Sequence, residues 1–193
     1  MSNIGMSEQA YLEIILGCMY AGKTTRLVEI YKQCKFCNIS VCVINHSIDD
    51  RYNAQLLSTH DHIMIPCIKS SKLSDIWGST IHENNIELQN SNVIIINEGQ
   101  FFPDLYDVVV SMLICGKKIY VGGLDGDFER NKFGQILDII PLCDKVTKLT
   151  SLCSICKNGT PGIFSKKIVN DINQTDVGST EKYIPVCRKC YNK

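Results

Sequence analysis

A parallel α/β sheet covered by helices on both faces, followed by a small metal-clamped module, is the fold the sequence predicts. Three observations carry it. Short apolar runs of strand length alternate with amphipathic stretches over residues 1–150, the pattern of a parallel sheet with crossover helices. The first apolar run ends in a glycine-framed loop that opens a helical pattern. Near Thr150 the periodicity stops, and two Cys-x-x-Cys pairs bracket a polar, glycine-containing stretch. The expected division is therefore 1–150 and 151–193.

The elements follow in order. Residues 11–16 read as a buried strand ending at Gly17. Residues 23–35 carry Leu27, Ile30, Tyr31 and Cys34 at helical spacing. Residues 41–45 form a second buried strand. Residues 46–62 are polar, with Asp49, Asp50 and Arg51 at their centre. Residues 63–68 read as one strand and 73–77 as one short helix. Residues 93–96 are four β-branched residues bounded by Asn92 and Asn97, which suits a central parallel strand. Residues 104–115 place Leu105, Val108, Val109, Met112 and Leu113 on one helix side. Residues 119–122 are a strand, 135–140 a short helix stopped by Pro141, and 145–149 a last strand.

Composition narrows the function classes. The 193 residues suffice for a core without disulfide staples. Lys+Arg and Asp+Glu both number 20, so there is no positive surplus for a nucleic-acid polymer. The N-terminus lacks a basic region followed by an apolar run, so no signal peptide is expected. No stretch approaches the roughly 18 apolar residues of a membrane span. Eleven cysteines cannot all pair within one chain. A cytoplasmic, reducing compartment with free or metal-bound thiols is the expectation.

Gly17-Cys18-Met19-Tyr20-Ala21-Gly22-Lys23-Thr24 is a phosphate-binding loop, with a strand before it and a helix after. Its backbone N–H groups and the helix N-terminus attract phosphate oxygens. Lys23 is expected to neutralise the β- and γ-phosphates of a nucleotide, and the Thr24 hydroxyl to ligate Mg²⁺. The strand at 93–96 ends in Asn97 and Glu98. A strand end beside such a loop is where a metal-side group and a base belong. Asn97 offers an oxygen without charge, and Glu98 a carboxylate that can take a proton from a substrate hydroxyl. Phe101, Phe102, Phe128 and Phe133 follow two strand ends, where rings serve either the core or a flat base.

Cys153-x-x-Cys156 and Cys187-x-x-Cys190 form the pattern of a closed, structural Cys₄ zinc site. Cys34-x-x-Cys37 has no second pair nearby and reads as free thiols. Cys18 reads as a small neutral filler of the loop. His60-Asp61 reads as loop packing.

These pieces occur together in one family. Through GCMYAGKTT, DDRY with THD after it, INEGQFFPD, GGLDGDF with KFG after it, and KLTSLCSIC…FSKK…EKYIPVCRKCY, the chain resembles type II thymidine kinases, the cytosolic and poxvirus-like class, over nearly its full length. The resemblance implies a P-loop, RecA-like domain and a zinc-binding lasso domain. It implies transfer of the ATP γ-phosphate to the 5′-hydroxyl of thymidine or deoxyuridine in nucleotide salvage. It implies Glu98 as base, with Lys23 and Arg51 on phosphate. The loop residues Gly17, Cys18, Met19, Tyr20, Ala21, Gly22, Lys23, Thr24 and Thr25 hold ATP. Thr24, Asp49 and Asn97 face Mg²⁺. Met19, Phe101, Leu124, Phe128, Phe133 and Tyr183 enclose the base. A lasso within about residues 164–183 closes over the nucleoside. A homotetramer inhibited by thymidine triphosphate is implied too, in the host cytoplasm if the chain is viral.

The chain departs from the family pattern in three places. Asn97 stands where the family has Asp, Cys18 where it has Pro, and Gly178-Ser179 where it has a Gly-Gly pair. Asn97 motivates a second reading, a nucleoside-binding pseudokinase. The phosphate loop with a Cys₄ site also suits a nucleic-acid-stimulated zinc-ribbon ATPase, which the zero net charge disfavours.

Overall fold

The computed structural model describes residues 9–48, 56–59, 63–78, 86–169 and 182–193. Asp49, Arg51, the His60-Asp61 pair and the Gly178-Ser179 departure lie outside the described residues, as does most of the expected lasso.

Six parallel strands form the centre: β1 (Tyr11–Gly17), β2 (Val41–His46), β5 (Ile68–Ser70), β6 (Val93–Asn97), β7 (Lys118–Gly123) and β8 (Lys145–Leu149). Their spatial order is β5-β2-β6-β7-β1-β8. Successive side chains point to opposite faces of the sheet. On one face Leu12, Ile14, Leu16, Ile44, Ile94 and Ile96 pack against α3 (Leu105–Ile114). On the other, Ile15, Val43, Val93 and Ile95 pack against Leu27, Val28 and Ile30 of α1 (Lys23–Phe36). Burial on both faces explains why the central strands are continuously apolar rather than alternating.

The direction of the connections reverses at β1. From β1 the chain crosses to β2 on one side, and from β7 it crosses past β1 to β8 on the other. Open α/β sheets bind ligands at the carboxyl ends beside such a switch point. Gly17, His46, Asn97 and Gly123 end their strands there.

Several elements differ from expectation. Residues 63–68 are two strands rather than one. β4 (Met64–Pro66) pairs antiparallel with β3 (Leu56–Ser58), while β5 joins the central sheet. Pro66 supplies no N–H, which ends the first ladder. Residues 135–140 are not a helix. They run as turns, with Asp138 N–H donating to Gln135 O at 2.9 Å, and end in a 3-10 turn at Ile140–Leu142. Pro141 has no N–H to donate four residues back, so the i to i+3 pattern prevails. The short helix α2 (Ile86–Asn90) buries only Leu88, too little to show a period in sequence.

The segment from 151 onward forms two small ladders, β9 (Ser151–Leu152) with β10 (Pro161–Gly162) and β11 (Phe164–Lys167) with β12 (Tyr183–Val186). A short helix, α4 (Arg188–Tyr191), closes it. Its core is Cys153, Val186, Cys187 and Cys190, with Phe164, Ile184 and Tyr191 against them. So few apolar side chains leave a metal clamp as the natural source of order. Among the described residues, no helix is long and apolar enough to cross a membrane.

Candidate active site

The phosphate loop runs from the end of β1 into α1. Gly17 lies at φ +151°, and a Cβ there would come within 2.6 Å of Leu149 O. Gly22 caps α1 in the left-handed region, at φ +85°, which costs a residue without a Cβ nothing. Lys23 Nζ donates to Cys18 O at 2.8 Å, so the ammonium folds back over its own loop.

Residues from beyond Thr150 hold this loop in place. The Cys18 thiol donates to Gly162 O at 3.2 Å, and Met19 N–H donates to Ser165 Oγ at 3.0 Å. Burial pushes the Cys18 thiol up, so it stays protonated and able to donate. Cys18 is thus more than filler.

At the end of β6, Asn97 sits opposite Asn45 of β2 in register. Asn97 Nδ2 donates to Asn45 Oδ1 at 3.0 Å, and Thr24 Oγ1 lies 3.5 Å from Asn97 Oδ1. Both Asn side chains are buried. The amide therefore turns its oxygen to the Thr24 hydroxyl and its nitrogen to Asn45.

Glu98 follows in the left-handed region, φ +55° and ψ +42°. A non-glycine residue there stores roughly 1–3 kcal/mol of strain, a feature that concentrates at functional sites. The turn Gly99–Phe101 fixes it, with Phe101 N–H donating to Glu98 O at 3.0 Å. Gly99 is required by space, since a Cβ would come within 2.7 Å of Val121 Cγ1. Gln100 Nε2 donates to Glu98 Oε2 at 2.6 Å, and Gln100 Oε1 accepts from Leu124 N–H at 3.0 Å. Gln100 is buried, and side chains at Gly123 and Gly134 would collide with it.

The aromatic residues fall into two groups. Phe101 meets Phe133 edge to face at 5.3 Å, and the His46 ring lies 5.6 Å from Phe101. Phe128 and Tyr183 lie 6.5 Å apart, with Lys167 Nζ 5.0 Å from the Phe128 ring. Phe102 is wholly buried and belongs to the core. Leu124 reaches Glu98 through Gln100, and Met19 reaches β11 through Ser165.

The four cysteines of the doubled motif converge. Their sulfurs all lie within 4.8 Å of one another, with Cys156 Sγ 3.7 Å from Cys187 Sγ and 3.4 Å from Cys190 Sγ. Four sulfurs about 2.3 Å from a tetrahedral zinc stand roughly 3.8 Å apart, so the donor set fits zinc. The N–H of Cys156, helped by those of Cys187 and Ile155, brings the Cys153 thiol down to about 6, while the contact with Cys156 pushes Cys190 up to about 12, so the crowded sulfurs share protons that a bound metal would displace. Cys34 is buried inside α1 and Cys37 is exposed at its end. Among the described residues only the 153/156/187/190 set forms such a group.

The comparison with known proteins decides the family. Its profile, described as "Thymidine kinase", matches residues 10–191. The chain belongs to the thymidine kinase family. It is 40% identical over 187 residues to a thymidine kinase of Yaba monkey tumor virus (strain VR587), covering 97% of each chain. Thymidine kinase 1 of Dictyostelium discoideum is 36% identical, over 94% of this chain and 77% of that one. A thymidine kinase of Choristoneura fumiferana entomopoxvirus is 38% identical, over 94% and 96%.

Against that family background, four residues stand out that sequence reasoning did not select: Asn45, Gln100, Ser165 and Tyr191. Gln100 and Ser165 sit inside the EGQFF and FSKK motifs, so position in a motif was the available signal. Asn45 and Tyr191 act through partners remote in sequence.

Proposed function

We propose that the chain transfers the γ-phosphate of ATP to the 5′-hydroxyl of thymidine or deoxyuridine, supplying a DNA precursor by salvage. The observation that carries this is the meeting of the phosphate loop, the Asn97-Glu98 strand end and Leu124 at adjoining carboxyl ends of one sheet.

In this reading the loop from Gly17 to Thr25 wraps the phosphates. Lys23 exchanges the Cys18 carbonyl for phosphate oxygens, and Arg51 adds a second positive charge. The oxygens of Thr24 and Asn97, with Asp49, would hold Mg²⁺, which when bound neutralises phosphate charge. Glu98 accepts the proton of the substrate 5′-hydroxyl as the oxygen attacks the γ-phosphorus and the bond from that phosphorus to the bridging oxygen breaks, releasing ADP. The strained backbone of Glu98 and its bond from Gln100 hold the carboxylate ready. Met19, Phe101, Leu124, Phe128, Phe133 and Tyr183 enclose the base. Cys153, Cys156, Cys187 and Cys190 hold a structural zinc that leaves no open position for water. We divide the chain at 150/151, and the family resemblance supports a homotetramer restrained by thymidine triphosphate. Eleven cysteines without a disulfide, four of them on zinc in this reading and seven free, suit a cytoplasmic setting.

The test is Glu98→Gln. Turnover with thymidine falls to background while nucleotide affinity stays within a few fold. Equal loss of both would make Glu98 structural. ADP release that depended on DNA and not on thymidine would overturn the kinase reading.

A further inference from the structure

The loop that carries Phe128 leans on the last helix of the chain. Tyr191 follows Cys190 directly and ends α4. Its hydroxyl donates to Phe128 O at 2.6 Å, 63 residues away in sequence. Its ring carries the Arg130 guanidinium at 4.4 Å and meets the Phe164 ring at 5.2 Å. Arg188 lies 5.1 Å from the other member of that pair, Phe164. One tyrosine therefore holds the loop at two points, a main-chain carbonyl and a stacked cation.

The loop itself is a tight structure that needs such a support. Arg130 lies at φ +72°, an unfavourable backbone region for a side chain of its size. Asp127 closes the turn, accepting from Glu129 N–H at 2.9 Å and Asn131 N–H at 2.8 Å. Phe128 sits between these anchors, half-buried, with its ring toward Tyr183 and Lys167. Its carbonyl is held by Tyr191, which fixes the main chain from which the ring projects.

We propose that Tyr191 is a positioning residue for nucleoside binding: it fixes the Phe128 loop and so ties the shape of the base pocket to the four-cysteine cluster one residue away. The proposal rests on Phe128 facing the base. Cys190 is held among the sulfurs, Tyr191 is held by Cys190 through the helix, and Phe128 is held by Tyr191. A hydrogen bond and a stacked cation transmit position over this short path without any contact between Tyr191 and substrate.

Tyr191→Phe removes only the hydroxyl. The KM for thymidine is expected to rise about three- to tenfold, the scale of one lost hydrogen bond. The KM for ATP stays within twofold, kcat moves less than the thymidine KM, and bound zinc per chain is unchanged. Arg130→Ala produces the same selective rise. Phe128→Ala serves as the reference and raises the thymidine KM by itself. In the Phe128→Ala background, Tyr191→Phe adds little, because the group it positions is gone. A Tyr191→Phe enzyme with an unchanged thymidine KM, beside a Phe128→Ala enzyme with a raised one, overturns the proposal alone. An unchanged KM in Phe128→Ala overturns the base-pocket reading beneath it. A parallel loss of ATP affinity and zinc in Tyr191→Phe would show a merely structural tyrosine and overturn the proposal too.

Discussion

Replacing Gly134 by Ala is expected to weaken the fold and the active site together. Gly134 lies at φ +58°, where an L side chain costs roughly 1–2 kcal/mol. The added Cβ would fall well inside contact with the Gln100 carbonyl oxygen, 2.9 Å from its carbon and 3.2 Å from its Cα. The obstacle is main chain and cannot swing aside, so overpacking adds about 1–3 kcal/mol. The total is about 2–5 kcal/mol. At about 2–4 °C per kcal/mol for a chain of this size, the melting temperature drops by about 4–20 °C. Gln100 donates to the Glu98 carboxylate, and with Glu98 as the proposed base a displacement near 1 Å there costs about 100-fold in rate. A fall in kcat of about 10- to 100-fold follows. Gly159→Ala is the comparator. It too has positive φ, +86°, but its Cβ would meet nothing within 4 Å. It bears the conformational cost alone, about 2–8 °C, with turnover intact. Thermal unfolding and steady-state thymidine phosphorylation on both variants decide the matter. Equal melting shifts and equal turnover in the two would refute the reasoning.

Two further expectations concern pH and metal. His46 accepts from Ile48 N–H through Nδ1 at 3.1 Å, and its Nε2 lies 3.2 Å from Ser71 O, so the neutral ring satisfies both. Burial pushes its pKa below 6.5, against the opposing pull of the Ser71 carbonyl and the Glu98 charge. The unfolded chain therefore takes the proton first as pH falls. The contribution is complete above about pH 6.5 and is lost below it, as pH falls toward the lower folded value. Melting curves from pH 8 to 5 should show a shallower acid-side loss in His46→Phe; parallel curves would exclude His46 as the source. Chelation of the zinc proposed at the four-cysteine cluster is expected to weaken ATP binding as well as thymidine binding, because Gly162 and Ser165 hold the phosphate loop. Titration of a nucleotide analogue before and after chelation checks this, and an unchanged affinity would show that the loop stands without that support.

How much was legible follows from where the information is stored. The parallel sheet, α1, α3 and the phosphate loop were readable because their signals are local: apolar runs bounded by glycine, helical spacing, and GxxxxGKT between a strand and a helix. The cysteine cluster was readable because a doubled Cys-x-x-Cys pattern has few other uses. The break at Pro66 and the turns before Pro141 were missed because a missing N–H decides the outcome only once its partner carbonyl is known. The amide of Asn97 is the sharpest case. In sequence it is a lost charge, and in the fold it faces Thr24 and Asn45 across β2–β6 register. The grip of Gln100 on Glu98, the hold of Ser165 on Met19 and the reach of Tyr191 to Phe128 likewise join residues through space. Residue types and short spacings are written along the chain, so the sequence by itself determined the chemistry and the sheet that bears it. Orientation depends on donors and acceptors brought together from distant segments, and only the tertiary structure decided which side chain holds which.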